Sequence, residues 1–163
     1  MTNNIKTARL RLEYLAPQDR TFMLELMNTP GWLAFIGDRN IHTLEAAEQY
    51  IEKIRSNPGM WYWVAKLNNG ETPIGIITLI KRHYLEYHDI GFAFLPQYSG
   101  QGYGFEAADA VLKIVLQNPA HPRVLATTIP GNVNSIKLLE KLGLRWRQRI
   151  RQGNDDLEVY SIG

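Results

Sequence analysis

The chain has 163 residues, 45% of them hydrophobic and 21% charged; that size and balance support a buried core without disulfide or metal staples and exclude disorder, a fibrous repeat or a membrane protein. The formal charge is only +2 and the cations are interspersed with acids, so nucleic acid is not the expected partner. Cysteine is absent, which removes thiol nucleophiles and cysteine-ligated zinc, and no metal is expected. One domain, 1–163, is the expectation. The opening residues MTNNIKTARLRLEYL show no basic segment leading into a long apolar run, and no later run reaches transmembrane length, so no membrane partner and a cytoplasmic location are expected.

In chain order, Leu10, Leu12 and Tyr14 alternate with Arg9, Arg11 and Glu13, the period-two pattern of a strand with one buried face. Pro17 suits the first turn of a helix running to about Asn28, and Thr43 caps a second helix whose apolar side is Leu44, Ala47, Tyr50, Ile51 and Ile54. Trp61 to Leu67 and Pro73 to Arg82 read as a hairpin about Asn68-Asn69-Gly70, followed by a strand over His88 to Leu95. Phe105, Ala108, Val111, Leu112, Val115 and Leu116 recur at helical spacing up to Asn118-Pro119. Arg123 to Ile129 reads as a buried strand, Ser135 to Leu142 as a short helix stopped by Gly143, and Arg145 to Ile150 and Leu157 to Ile162 as closing strands. The order β-α-α-β-β-β-α-β-α-β-β, with no repeat or linker, is that of a mixed α/β fold.

Gly100, Gly102 and Gly104 alternate immediately before the third helix. A helix N-terminus carries unpaired N–H groups and partial positive charge, and a loop without side chains lets an anion such as pyrophosphate approach them. A turn that merely requires unusual dihedrals explains the same spacing. The Gly-Lys-Ser/Thr ending of a P-loop is missing, and Phe105 stands where a dinucleotide fingerprint needs glycine.

Pro96 to Ala107, P-x-x-x-G-x-G-Y-G-x-E-A, resembles the pyrophosphate loop of the GNAT (Gcn5-related) N-acetyltransferases, particularly the branch of bacterial ribosomal-protein N-terminal acetyltransferases. Asn132 to Gly143 is similar to that branch's N-x-x-S-x-x-L-L-E-K-L-G segment, and T-x-R-L-R-L near the start and the element order agree. The resemblance implies a GNAT-type mixed, mostly antiparallel central sheet with about four helices and two splayed parallel strands, about Asp89 to Leu95 and Arg123 to Ile129. Acetyl-CoA would lie in that opening, its amides on the backbone of Phe92, Ala93 and Phe94 and its pyrophosphate on Gly100, Gln101, Gly102, Tyr103 and Gly104. The implied reaction is direct attack of an amine, on a small molecule or a protein N-terminus, on the thioester in a ternary complex. The rival reading is a CoA-binding sensor or scaffold without catalysis, because Leu139 replaces the tyrosine acid of many relatives. A generic nucleotide-phosphate site is a third.

The resemblance makes Ser135 the candidate to contact or protonate the CoA sulfur and Asn132 a residue positioning cofactor or substrate; helix capping and turn formation explain the same two residues. Asp89, where the branch often has glutamate, is the candidate base, set against a solvated carboxylate at a strand start; His88 and His42 are weaker candidates. Ser99 stands where the loop consensus carries a long polar side chain. Arg145, Arg147, Arg149 and Arg151 form a period-two stripe with Trp146 and Ile150 opposite, read as a solvated outer face or as a surface for an acidic partner. Trp32, Phe35, Trp61 and Trp63 are core or wall an acceptor pocket. The final strands could pair across a homodimer.

Overall fold

A computed structural model describes residues 2–163. One sheet contains β1 (Ile5–Lys6), β2 (Leu10–Tyr14), β3 (Met60–Leu67), β4 (Pro73–Ile80), β5 (Asp89–Phe94), β6 (Val124–Thr128), β7 (Arg145–Gln152) and β8 (Asp155–Ile162). Its order is β1-β2-β3-β4-β5-β6-β8-β7. Neighbours are antiparallel except β5 and β6, so the sheet is the mixed, mostly antiparallel one expected.

Five helices cover it: α1 (Arg20–Leu26), α2 (Pro30–Phe35), α3 (Leu44–Arg55), α4 (Tyr103–Gln117) and α5 (Val133–Lys141). The single helix expected from Pro17 to about Asn28 is instead a short 3-10 turn plus α1, and α2 is the element the sequence reading missed. Pro30 disfavours helical dihedrals at the residue before it; Thr29 is extended, with ψ 151°, and its side chain accepts from the Trp32 N–H, so the chain stops one helix and caps another. Thr43 caps α3 as expected, accepting from the Ala46 N–H at 3.0 Å.

The apolar stripe of α4 buries Ala107, Ala108, Val111, Leu112 and Val115 against Leu12, Trp63, Ile77, Leu79 and Ile90 on one sheet face, beside Leu139 of α5. Each fully buried leucine, valine or isoleucine contributes about 1.5–3 kcal/mol, which anchors α4 on the sheet. The other face packs Tyr62, Val64 and Ile76 against Phe22 and Met23 of α1, Trp32 of α2 and Ile51 and Ile54 of α3. Trp32 and Trp63 are therefore core, whereas Phe35 is exposed. Among the described residues no helix is long and apolar enough to cross a membrane.

The arginine stripe does not survive folding. The register of β7 on β8 shifts between Trp146 and Gln148, and an extra residue in one strand reverses the inside-outside phase beyond it. Arg145 thus lies on one face and Arg149 and Arg151 on the other, while Trp146 and Ile150 fall on opposite faces rather than together. Glu158 receives hydrogen bonds from both Trp146 Nε1, at 3.0 Å, and Arg149 Nε, at 2.7 Å, and Asp156 pairs with Arg151 at 3.1 Å.

Candidate active site

The parallel strands β5 and β6 meet only at their roots. A single bridge pairs Asp89 with Leu125, and the Leu125 N–H donates to the His88 carbonyl at 3.0 Å. Beyond it β5 pairs with β4 from Ile80↔Asp89 to Gly75↔Phe94, and β6 pairs with β8 along its whole length. The edges of β5 and β6 that face each other consequently diverge with their backbone N–H and C=O groups unmatched by one another. Such groups require partners from water or a ligand. Phe92, Ala93 and Phe94 are half-buried along this opening. The Phe94 ring lies across Gly75, where a Cβ would meet it at 2.3 Å, and reaches Gly104 at the start of α4.

The glycine loop closes the opening at the end of β5. Gly100 and Gly102 have φ of 73° and 82°, and Gly102 caps α4 with no side-chain hydrogen bond. The first helical bond runs from the Glu106 N–H to the Gly102 carbonyl at 3.1 Å; the N–H groups of Tyr103, Gly104 and Phe105 precede it and are the ordinary unpaired donors of a helix start. A Cβ added at Gly100 would meet nothing within 4 Å. Left-handed glycines around a single residue stand in front of unpaired amides and the positive end of a 15-residue helix, an arrangement compatible with an anion. These residues fit a pyrophosphate.

Side chains from the start of the chain hold the cradle from outside. Arg9 Nε pairs with Glu106 at 2.7 Å, Arg9 Nη1 donates to the Gln101 carbonyl at 2.9 Å, and the guanidinium lies 4.2 Å from the Tyr103 ring centroid. The Arg9 backbone N–H and the Thr7 hydroxyl both donate to Glu106 Oε2. Burial alone would raise the Glu106 carboxyl; the hydrogen bonds from Thr7 and Arg9 reverse this and hold it below the usual carboxylate value. This network was missed in the sequence, although both ends lie in motifs singled out there.

Across the opening, Asn132 and not Ser135 caps α5: its side chain accepts from the Ser135 N–H at 3.3 Å. The capping explanation for Ser135 therefore fails, and its half-buried hydroxyl makes no hydrogen bond among the described residues. Leu139 is 1% exposed within the core, so the position of the relatives' tyrosine acid here serves packing.

Asp89 is not a solvated carboxylate. It is 3% exposed, and Arg82 Nε and Thr127 Oγ1 both donate to its Oδ2, at 3.0 and 3.3 Å. Strand alternation sets it on the face opposite Ile90, Phe92 and Phe94. Burial pushes its carboxyl up, against the opposing pull of Arg82 and Thr127. The cluster also ties β5 to β6 at the root of the opening. His88 stands there too, its ring centroid 4.7 Å from that of buried His121 and 5.6 Å from Trp61. Burial lowers both histidines, and His121 and Lys81 lower His88 further.

Comparison with known proteins accords with this geometry. Residues 9–145 match the family model described as an acetyltransferase (GNAT) domain. The Bacillus subtilis (strain 168) protein YnaD, named an uncharacterized N-acetyltransferase, is 26% identical over 161 residues, covering 96% of this chain and 94% of its own. Among solved structures, a GNAT-family acetyltransferase from Bacillus anthracis is 28% identical with a TM-score of 0.81, covering 98% of this chain and 97% of its own. RimL, a ribosomal L7/L12 α-N-protein acetyltransferase in complex with coenzyme A, superimposes with a TM-score of 0.85 at 12% identity, over 98% of this chain and 97% of its own. Spermidine N-acetyltransferase from Vibrio cholerae, in complex with CoA and spermine, gives 0.80 at 15% identity over 96% of each chain. The last two likenesses are likenesses of fold.

Proposed function

The chain belongs to the acetyltransferase (GNAT) family and is thus an acetyl-CoA-dependent acyltransferase, and from that premise we propose that it acetylates a primary amine by direct attack in a ternary complex. One observation carries the reading: a side-chain-free anion cradle stands at the end of a strand pair joined by a single bridge. Neighbours of the same fold act on a protein α-amino group and on spermidine, which supports a protein N-terminus or a small polyamine-like amine as the acceptor.

In this reading the N–H groups from Gly102 to Phe105, approached through Gly100 and Gln101, hold the pyrophosphate, and the free backbone of Phe92, Ala93 and Phe94 holds the pantetheine amides. Acetyl-CoA supplies an activated acyl carbon when bound. Ser135, whose hydroxyl is free of capping duty, contacts the CoA sulfur and relays to the departing thiolate a proton that the hydroxyl regains from solvent, so no alkoxide remains. Asn132 keeps the start of α5 in place through its side-chain oxygen, and its amide N–H groups contact the cofactor. Asp89 takes the amine proton through Oδ1, the oxygen that Arg82 and Thr127 leave free; its raised pKa moves it toward the value useful to a base near neutral pH.

Thermal unfolding with acetyl-CoA, CoA, ATP and NAD at equal concentration tests the cosubstrate. A ligand at 100 times its dissociation constant stabilises by about 2.7 kcal/mol, roughly 5 to 10 °C at this size. A shift with ATP or NAD equal to that with CoA overturns the reading. Leu139 in place of a phenol favours the second reading, a binder without catalysis. Thiol release across a panel of peptides and polyamines separates the two, since only an enzyme frees CoA faster with amine than without it.

A further inference from the structure

We propose that Arg9 is a positioning residue of the cradle, acting through the peptide that joins Gln101 to Gly102; the proposal rests on the acetyl-CoA reading above. In a trans peptide the carbonyl and the following N–H point in opposite directions. Arg9 Nη1 donates to the Gln101 carbonyl at 2.9 Å, so that carbonyl points toward the guanidinium and the Gly102 N–H points away from it. Nothing local would hold that plane, because Gly102, at φ 82°, tolerates either sign of φ at little cost. A reversed plane would present a carbonyl oxygen to the phosphates and repel them.

The arginine is itself fixed before any ligand arrives. Its Nε pairs with Glu106 at 2.7 Å and its plane lies over Tyr103, so one side chain grips three successive features of the loop and helix start. Ser99 offers no long polar side chain of its own, and Arg9 brings a guanidinium from the bend just before β2 instead. Because Glu106 neutralises it and its side chain is 44% exposed, its effect comes through orientation and not through net charge.

The test uses the full chain. Calorimetry gives the Kd for CoA, melting gives the stability without ligand, and amide chemical shifts report which N–H groups bind phosphate. For Arg9→Ala the Kd rises about tenfold, the unliganded midpoint changes little, and the Gly102 amide loses its CoA-induced shift while those of Tyr103 and Gly104 keep theirs. An unchanged Kd overturns the proposal. Loss of all three amide responses together also overturns it, since Arg9 would then merely support the loop. Arg9→Lys, which keeps the charge but not both bonds, recovers affinity only in part; full recovery that fades with added salt assigns the effect to charge and overturns it. If Arg9→Ala does not fold, Arg9→Met, which keeps the stem over Tyr103, carries the same measurements. Failure of the wild-type chain to bind CoA instead removes the reading of the site itself.

Discussion

Two helix starts flank the opening between β5 and β6, and they are finished in opposite ways. At α4 the residue before the helix is a left-handed glycine without a side-chain cap, and the neighbouring acid, Glu106, is turned away to Thr7 and Arg9. At α5 the side chain of Asn132 occupies the Ser135 N–H. Both starts carry the same kind of donors and the same sign of dipole. The difference lies in what already uses them: α5 is closed by its own sequence, whereas α4 is left open to an external anion. The pair teaches that whether a helix start is open to an anion depends as much on the capping group withheld as on the helix.

The strongest way to break the contrast is Gly102→Val. A β-branched residue at φ 82° would be strained and its Cβ would lie 3.2 Å from Arg9 Nη2. With strain of about 1–3 kcal/mol and a displaced arginine, CoA affinity falls by about 100-fold, read by calorimetry, and no cap at α5 compensates. Ser135→Ala sharpens it next. With Asn132 as the cap, removing the hydroxyl leaves the melting temperature unchanged while kcat drops by about 100-fold or more; a lower melting temperature with intact kcat would return Ser135 to a structural role. Asp89→Asn separates two duties at the root of the opening. Loss of kcat with normal CoA binding marks the base, whereas weaker CoA binding together with lower stability marks the anchor between Arg82 and Thr127. Asn132→Ala removes the closed cap and lowers stability by about 1 kcal/mol in chemical unfolding.

The smallest effect belongs to pH. His88 and His121 are both held below the ordinary histidine value, so the stability they contribute is present above about 6.5 and is lost as pH falls through their lowered values. Unfolding midpoints measured downward from neutrality should decline gently, and His121→Gln should flatten that decline.

Much of this was legible in the sequence for physical reasons. Strand alternation at Leu10 and Leu12, the Thr43 cap and the stripe of α4 are local signals, and each reappears at its place. Thr29-Pro30 was equally local and marks the start of α2, but the sequence reading ended its helix at about Asn28 and assigned no element directly after it. What could not be read was long-range. Arg9 and Glu106 lie 97 positions apart, and nothing in either motif states that they touch. The bulge within β7 reverses a stripe through one extra residue that no composition betrays. Asp89 looked solvated because its partners, Arg82 and Thr127, come from a loop and from the next parallel strand.

The order of the sheet leaves two free margins. One is β1, only two residues long; the other is β7, eight residues long with four arginines and an irregular ladder. A long, flat, apolar margin would offer its unpaired backbone to any other exposed strand and so nucleate fibrous association. Here Arg145 and Arg147 stand out into solvent, and the extra residue twists the ladder away from the regular spacing that an incoming strand would need. Exposed arginines beside an irregular ladder are the features that make such a margin a poor template for a further strand.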